Sequence, residues 1–219
     1  MKKAMDIKKL TATAMLCALA YIVMVIGRVP VVLFLSYDPK DVIIALGGLI
    51  WGPMISFAVS VVVSFIEMIT VSDTAWIGFL MNVISTCSFA CTAAFIYKKK
   101  RTLSGAVVGL SIGAACAVAV MMLWNYLITP LYMGFPREAV VELLLPAFLP
   151  FNLLKAGLNA ALTFLLYRPV VSALKSTGLI DKTKSKNAEK RKTNLGLVIL
   201  ALAIIVTCVL FILSLNGVI

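Results

Sequence analysis

Stretches of about twenty apolar residues recur along this 219-residue chain, and each is long enough to cross a bilayer as a helix. Inside a bilayer no water satisfies a peptide N–H or C=O, so a spanning segment must be a helix or part of a closed barrel. The stretches lack the strict in–out alternation of barrel strands, which leaves helices. Apolar periodicity places them at about 8–27, 42–51, 54–71, 76–97, 105–128, 148–172 and 195–215. A hydrophobic content of 62%, a charged content of 13% and a mean hydropathy of +1.07 agree. The expected fold class is all-α, a multi-spanning transmembrane helical bundle. No small-residue cleavage pattern follows the first stretch, so it reads as an ordinary span rather than a removable leader.

The charges orient these spans. Basic clusters fall at Lys2, Lys3, Lys8 and Lys9, at Lys98 to Arg101, and from Lys175 to Lys192. The positive-inside rule assigns all three to the cytoplasm. From a cytoplasmic N-terminus, residues 42–71 must then cross twice, with Trp51-Gly52-Pro53 as the inner turn. Gly52 is a natural helix stop and Pro53 a natural helix start. The stretch 42–51 is short for a full span, so it either thins the bilayer or is sheltered by its neighbours. The outer loops carry Arg28, Lys40 and Arg137 against Asp38, Asp41, Asp73, Glu138 and Glu142, the opposite balance to the inner side. The net charge of +11 therefore reports orientation. No soluble basic module is present, and no nucleic-acid partner is expected.

Absences narrow the chemistry. The chain has no histidine, which removes His triads, His metal sites and His proton relays. It has no GxxxxGK[ST] loop for ATP hydrolysis. Its five cysteines all fall within expected helices and read as small packing residues. Glu67 is the one acid well inside an expected span, free to pair with Lys155, line a cavity or approach the outer surface. Neither an enzyme, a metal nor a cofactor is expected.

Lys155 carries the strongest signal. An ammonium at membrane depth costs roughly 2.5–3.5 kcal/mol on insertion scales, so it faces a partner, a cavity or a ligand, or else snorkels. Asn152, Lys155 and Asn159 share one helical face at i, i+3 and i+7. Snorkelling accounts for the lysine but not for two asparagines beside it. Polar groups gather near the outer helix ends: Asp38, Lys40 and Asp41, then Asp73 and Asn82, then Asn125, Asn152 and Lys155. Amides that both donate and accept, beside a donor-only lysine, suit the edge of a small neutral heterocycle. Tyr37, Trp76, Phe79, Trp124, Tyr126, Tyr132 and Phe151 belong mostly to the interfacial belt, with one or two left to stack on a ring.

Three motifs then point to a family. Asn125-Tyr126-Leu127-Ile128-Thr129-Pro130-Leu131-Tyr132, Pro150-Phe151-Asn152-Leu153-Leu154-Lys155 and the loop Leu35 to Val42 followed by Trp51-Gly52-Pro53 resemble the riboflavin-specific substrate-binding (S) components of energy-coupling-factor (ECF) vitamin transporters. The resemblance runs from about residue 8 to residue 175, over the first six helices. It implies high-affinity riboflavin binding at the outer face and uptake across the cell membrane within an ECF-type ABC transporter. By motif position it implies Asn125, Asn152 and Lys155 as contacts to the isoalloxazine ring. Ser36 and Asp41 match polar positions of the first loop, Lys40 stands where some members carry a small hydroxyl residue, and Asn82 matches a fourth-helix asparagine. The implied partners are a transmembrane coupling (T) subunit and two ATPase subunits, with membrane lipid around them. Ala14 and Ala18, in an AxxxA pattern on the first helix, would dock the T subunit, although small-xxx-small pairs serve ordinary packing equally well. Gly109 and Gly113 read as such an internal pair.

Residues 1–175 are thus read as the six-helix membrane domain, 176–194 as a basic cytoplasmic linker, and 195–219 as an additional membrane helix that the family lacks, ending outside. The alternatives are an S component for another vitamin such as thiamine, a membrane enzyme acting on lipid through Glu67 and Asp73, and a structural or channel subunit.

Overall fold

A computed structural model describes residues 7–33, 35–71, 74–134, 136–176 and 195–215. The basic linker from 177 to 194, the N-terminal lysines 2 and 3, Asp73 and the last four residues lie outside the described residues.

The chain enters as α1 (Ile7–Gly27) and turns through a two-stranded antiparallel hairpin, β1 (Val29–Val32) and β2 (Leu35–Tyr37). There follow α2 (Lys40–Trp51), α3 (Pro53–Thr70), α4 (Ala75–Lys99) and α5 (Leu103–Leu127). Two short helices, α6 (Thr129–Met133) and α7 (Arg137–Leu143), lead through a π-helical turn at Leu144–Phe148 into α8 (Leu149–Ser176). A last helix, α9 (Leu195–Leu215), completes the described chain. Among the described residues, six helical stretches are long and apolar enough to cross a membrane, from Lys9–Gly27 through Leu195–Ser214, and the protein is a multi-pass membrane protein.

Each expected helix is present with nearby bounds, and local chemistry explains the ends. Gly52 sits at φ +106°, a conformation that costs an L side chain strain, and Pro53 opens α3 with no amide to orphan. Thr102 caps α5 by accepting from the Gly105 amide at 2.9 Å. Lys98 and Lys99 close α4 at its negative dipole end.

The short helix α2 is the sheltered one. Its 12 residues rise only about 18 Å, well under a bilayer's roughly 30 Å. Nine of those residues are buried, enclosed by α1, α3, α4 and α8. The central core around it is built largely from small side chains: Ala20, Ala45, Ala90, Ala93, Ala106 and Ala117, with Ile44, Val59, Val63 and Phe89 between them. Small residues let α4 and α5 pack backbone to backbone. A Cβ on Gly113 would sit 2.6 Å from the Phe89 carbonyl oxygen, and one on Gly109 would sit 2.8 Å from that of Ala93. The internal-packing reading of this glycine pair is what the structure contains.

The hairpin pairs Val29 with Tyr37, Pro30 with Ser36 and Val32 with Leu35, with an irregularity between Pro30 and Val32. Buried charges tie it to the bundle. Lys40, fully buried at the start of α2, donates to Glu67 of α3 and lies 3.9 Å from Asp38. Arg28, between α1 and β1, reaches Asp38 at 3.7 Å and Glu67 at 3.8 Å. Glu67 therefore pairs with Lys40 and Arg28.

Two stability experiments follow. Gly113→Val forces α4 from α5 and is expected to cost about 1–3 kcal/mol by overpacking, read as a lowered thermal midpoint in detergent. Gly196→Ala, with nothing within 4 Å of the added carbon, serves as its unshifted control. Lys40→Met leaves Glu67 and Asp38 short of a cation in the interior and is expected to cost about 3–5 kcal/mol. The double variant Lys40→Met/Glu67→Gln recovers most of that loss in the same melt.

Candidate functional site

Asp41, in the first turn of α2, is 1% exposed and sits where three helices and the hairpin converge. A carboxylate so placed requires partners for both oxygens. Thr86 of α4 donates to Oδ1 at 2.6 Å, and Asn159 of α8 donates to Oδ2 at 3.2 Å. Lys155 of α8 brings Nζ to 3.4 Å from the same Oδ2. Tyr37 of β2 closes the chain by donating its hydroxyl to Asn159 Oδ1 at 3.2 Å. Burial first, then the charges of Asp41 and Asp38, push the Tyr37 phenol well above its ordinary pKa, so it remains a donor.

Lys155 is thus neither solvated at the surface nor fully consumed. Its side chain keeps 13% of its exposure, and that exposure opens into a cavity of about 530 Å³ between the hairpin and helices α3, α4, α5 and α8. The volume falls within the roughly 300–1,000 Å³ typical of small-molecule sites. Ser36, Asn82, Ser85, Asn152 and Lys155 supply its neutral polar groups and its ammonium, Phe151, Met81, Met121 and Leu35 its apolar walls. Arg28, Asp38 and Glu67 reach its rim from the charge cluster described above. A recess of about 10 Å³, room for one water, lies against Asp41 and Asn159 and shares Ser85, Met121, Asn152 and Lys155 with the main cavity.

The three α8 residues that sequence spacing placed on one face do face inward together. Asn152 donates its Nδ2 to the Phe148 carbonyl at 2.8 Å, which leaves its Oδ1 free to accept. Other expected site residues lie elsewhere. Lys40 is sealed beneath the hairpin by Glu67 and Asp38 and is not among the lining residues. Asn125 is likewise absent from the lining; it is fully buried near the end of α5, where Oδ1 accepts from Thr129 at 3.2 Å and Nδ2 has no partner. Of the aromatic residues, Phe151 lines the cavity. Trp76 is 64% exposed and meets Phe79 edge-on at 6.0 Å, while Tyr126 lies under the Arg137 guanidinium at 5.5 Å, as belt residues do. The Tyr132 side chain lies outside the described residues.

Sequence reasoning passed over several contributors, among them Ser85, Met81 and Met121 of the cavity wall, Arg28 and Thr86. Arg28 carried a usable signal, a cation directly after the first apolar stretch and close to Asp38 in sequence. Thr86 carried none, because a threonine inside a span is ordinary until the fold puts a carboxylate beside it. On α1, Ala14 and Ala18 lie on the exposed face, whereas Ala12, Leu16 and Ala20 of the same helix point into the bundle.

Counting the groups around the site gives three cations, Arg28, Lys40 and Lys155, against three anions, Asp38, Asp41 and Glu67. The site is electrically balanced before any ligand enters, and a neutral molecule leaves it so. Donors and acceptors beside a flat aromatic and two methionines can hold a polar ring system.

Known proteins resemble this chain in sequence and fold. The chain is 29% identical over 164 residues to the riboflavin transporter FmnP of Bacillus subtilis (strain 168), covering 69% of this chain and 85% of that one. It is 28% identical over 178 residues to the riboflavin transporter RibU of Staphylococcus aureus (strain TCH60), covering 77% and 93% respectively. A solved structure described as the S component of a bacterial ECF transporter superposes with a TM-score of 0.65 at 27% identity, over 77% of this chain and 98% of that one. The family profile "ECF transporter, substrate-specific component" matches residues 8–167, and the chain belongs to that family.

Proposed function

We propose that this protein is the riboflavin-specific S component of an ECF-type ABC transporter. The observation that carries the reading is the charge-balanced cavity, walled by amides, one lysine and Phe151, in a family member whose curated relatives are named riboflavin transporters. Riboflavin is neutral, so the site loses no counter-charge on filling. Lys155 Nζ donates to a ring carbonyl or nitrogen while Asp41 holds it in place. Asn152 accepts through Oδ1, and Ser36 and Asn82 address the remaining polar edge. By motif position Asn125 is a further contact through Nδ2, which has no partner among the described residues; its side chain lies behind the cavity lining and would have to turn toward the ligand. Asp41 and Lys40 act one step back, holding Lys155 and the hairpin.

The same reading places the N-terminus in the cytoplasm and the cavity mouth at the outer surface, since the hairpin follows the first crossing. Ile212, near the C-terminal end of α9, packs with the hairpin, which supports reading that end as outside as well. The exposed alanine face of α1 meets the coupling T subunit, and two ATPases power release inward. In this cycle the chain itself binds and releases, and ATP hydrolysis belongs to the ATPase subunits.

Detergent-purified protein is expected to quench riboflavin fluorescence at near-stoichiometric ratio. Lys155→Ala should weaken that titration by about ten- to a hundredfold, the size of one charge-assisted hydrogen bond, in protein that still elutes as a single folded species. A wild-type protein that binds thiamine and leaves riboflavin emission untouched refutes the assignment. For coupling, Ala14→Leu/Ala18→Leu should leave the riboflavin titration unchanged and abolish uptake in cells that carry the full transporter.

A further inference from the structure

The helix α9 lies beyond residues 8–167, the part of the chain that the family profile matches. It is nevertheless built into the apolar layer beneath the hairpin. Ile212 is 9% exposed and shares one cluster with Val31, Leu35 and Tyr37 of the hairpin and with Phe148, Phe151, Leu154 and Leu158. Ile205 and Cys208 pack on the same cluster, and Cys208 lies 4.0 Å from the Leu154 carbonyl oxygen. Gly157 of α8 faces α9, where a Cβ would meet Ile204 at an ordinary contact distance of 3.6 Å. Ile199, Leu202, Val206 and Val209, on a stripe beside that packed face, are exposed and suit lipid. The helix thus has an inner face with an assignment, and that assignment is the hairpin and α8.

We infer that α9 is a brace for the binding site. Through Ile212, Ile205 and Cys208 it holds the hairpin down over the cavity and so sets how fast a bound ligand escapes. The linkage is continuous. Pressure on Val31, Leu35 and Tyr37 keeps the Tyr37 hydroxyl on Asn159, Asn159 on Asp41, and Asp41 beside Lys155. Leu35 and Ser36 of β2 line the cavity, so a hairpin that lifts opens the site directly. In this role Ile212 is a positioning residue, remote from the ligand itself. The residence-time part rests on the riboflavin reading; the bracing part does not.

Two measurements on the full chain separate these parts. In ligand-free protein, Ile212→Ala should speed amide hydrogen exchange in residues 29–37 by about tenfold, with exchange in α4 and α5 unchanged. Ile212→Val should give a smaller rise, and Phe211→Ala, on the lipid side at 41% exposure, none. Riboflavin dissociation, followed by recovery of flavin emission on dilution, should quicken by a similar factor in the same order of variants. Unchanged exchange in the hairpin overturns the inference whatever the ligand, as does a rise spread evenly over the bundle. Faster exchange with an unaltered dissociation rate overturns the control of residence time. Wild-type protein that ignores riboflavin sinks the ligand assignment, while the exchange result still decides the brace.

Discussion

A single carboxylate organises the cavity end of this protein. Asp41 is buried at the head of the shortest helix of the central bundle, and its oxygens gather Thr86 from α4 with Asn159 and Lys155 from α8. Each partner is held at a cost that burial alone would not repay; together they satisfy one another. Because α2 stops well short of a full crossing, that carboxylate lies within the bundle rather than at a loop. The lysine it holds can then point into a cavity at membrane depth without needing to reach water.

The second charge cluster has a different task. Lys40, Glu67, Asp38 and Arg28 join α1, the hairpin, α2 and α3 at the site's edge, and Lys40 has no exposed surface left to offer a ligand. Adjacent residues, Lys40 and Asp41, thus face opposite problems. One locks the hairpin's base, the other tethers the site's cation. Consecutive residues on a helix point about 100° apart, which is why neighbours in sequence serve two separate networks.

Much of this was legible in the chain itself. Spans, their order and the turn at Gly52-Pro53 follow from hydropathy and two residues with restricted backbones, signals that do not depend on tertiary contacts. The inward face of Asn152, Lys155 and Asn159 was equally legible, because helical spacing maps directly to direction. The hairpin was not: Val29 to Tyr37 is too short for a clear alternation, Pro30 interrupts it, and a two-stranded unit stands only because the bundle supports it. The positions of Lys40 and Asn125 were also beyond sequence, since motif position identifies a neighbourhood whereas side-chain direction depends on how helices are rotated. The short helices α6 and α7 and the π-helical turn lie in a stretch whose prolines, glycine and charges read as a loop, and segments of five to seven residues are too short for a helical period to show.

The alanine and glycine seam between α4 and α5 carries one more consequence. Where backbones touch, little side-chain bulk remains to rearrange, and the repertoire of alternative packings shrinks accordingly. Such a seam behaves as a rivet: it permits the two helices to travel together and resists their parting. Motions that admit or discharge a small molecule are therefore channelled to the periphery, where the short strands β1 and β2 are held by ion pairs at their flanks, Arg28 and Asp38, and by a few aliphatic contacts.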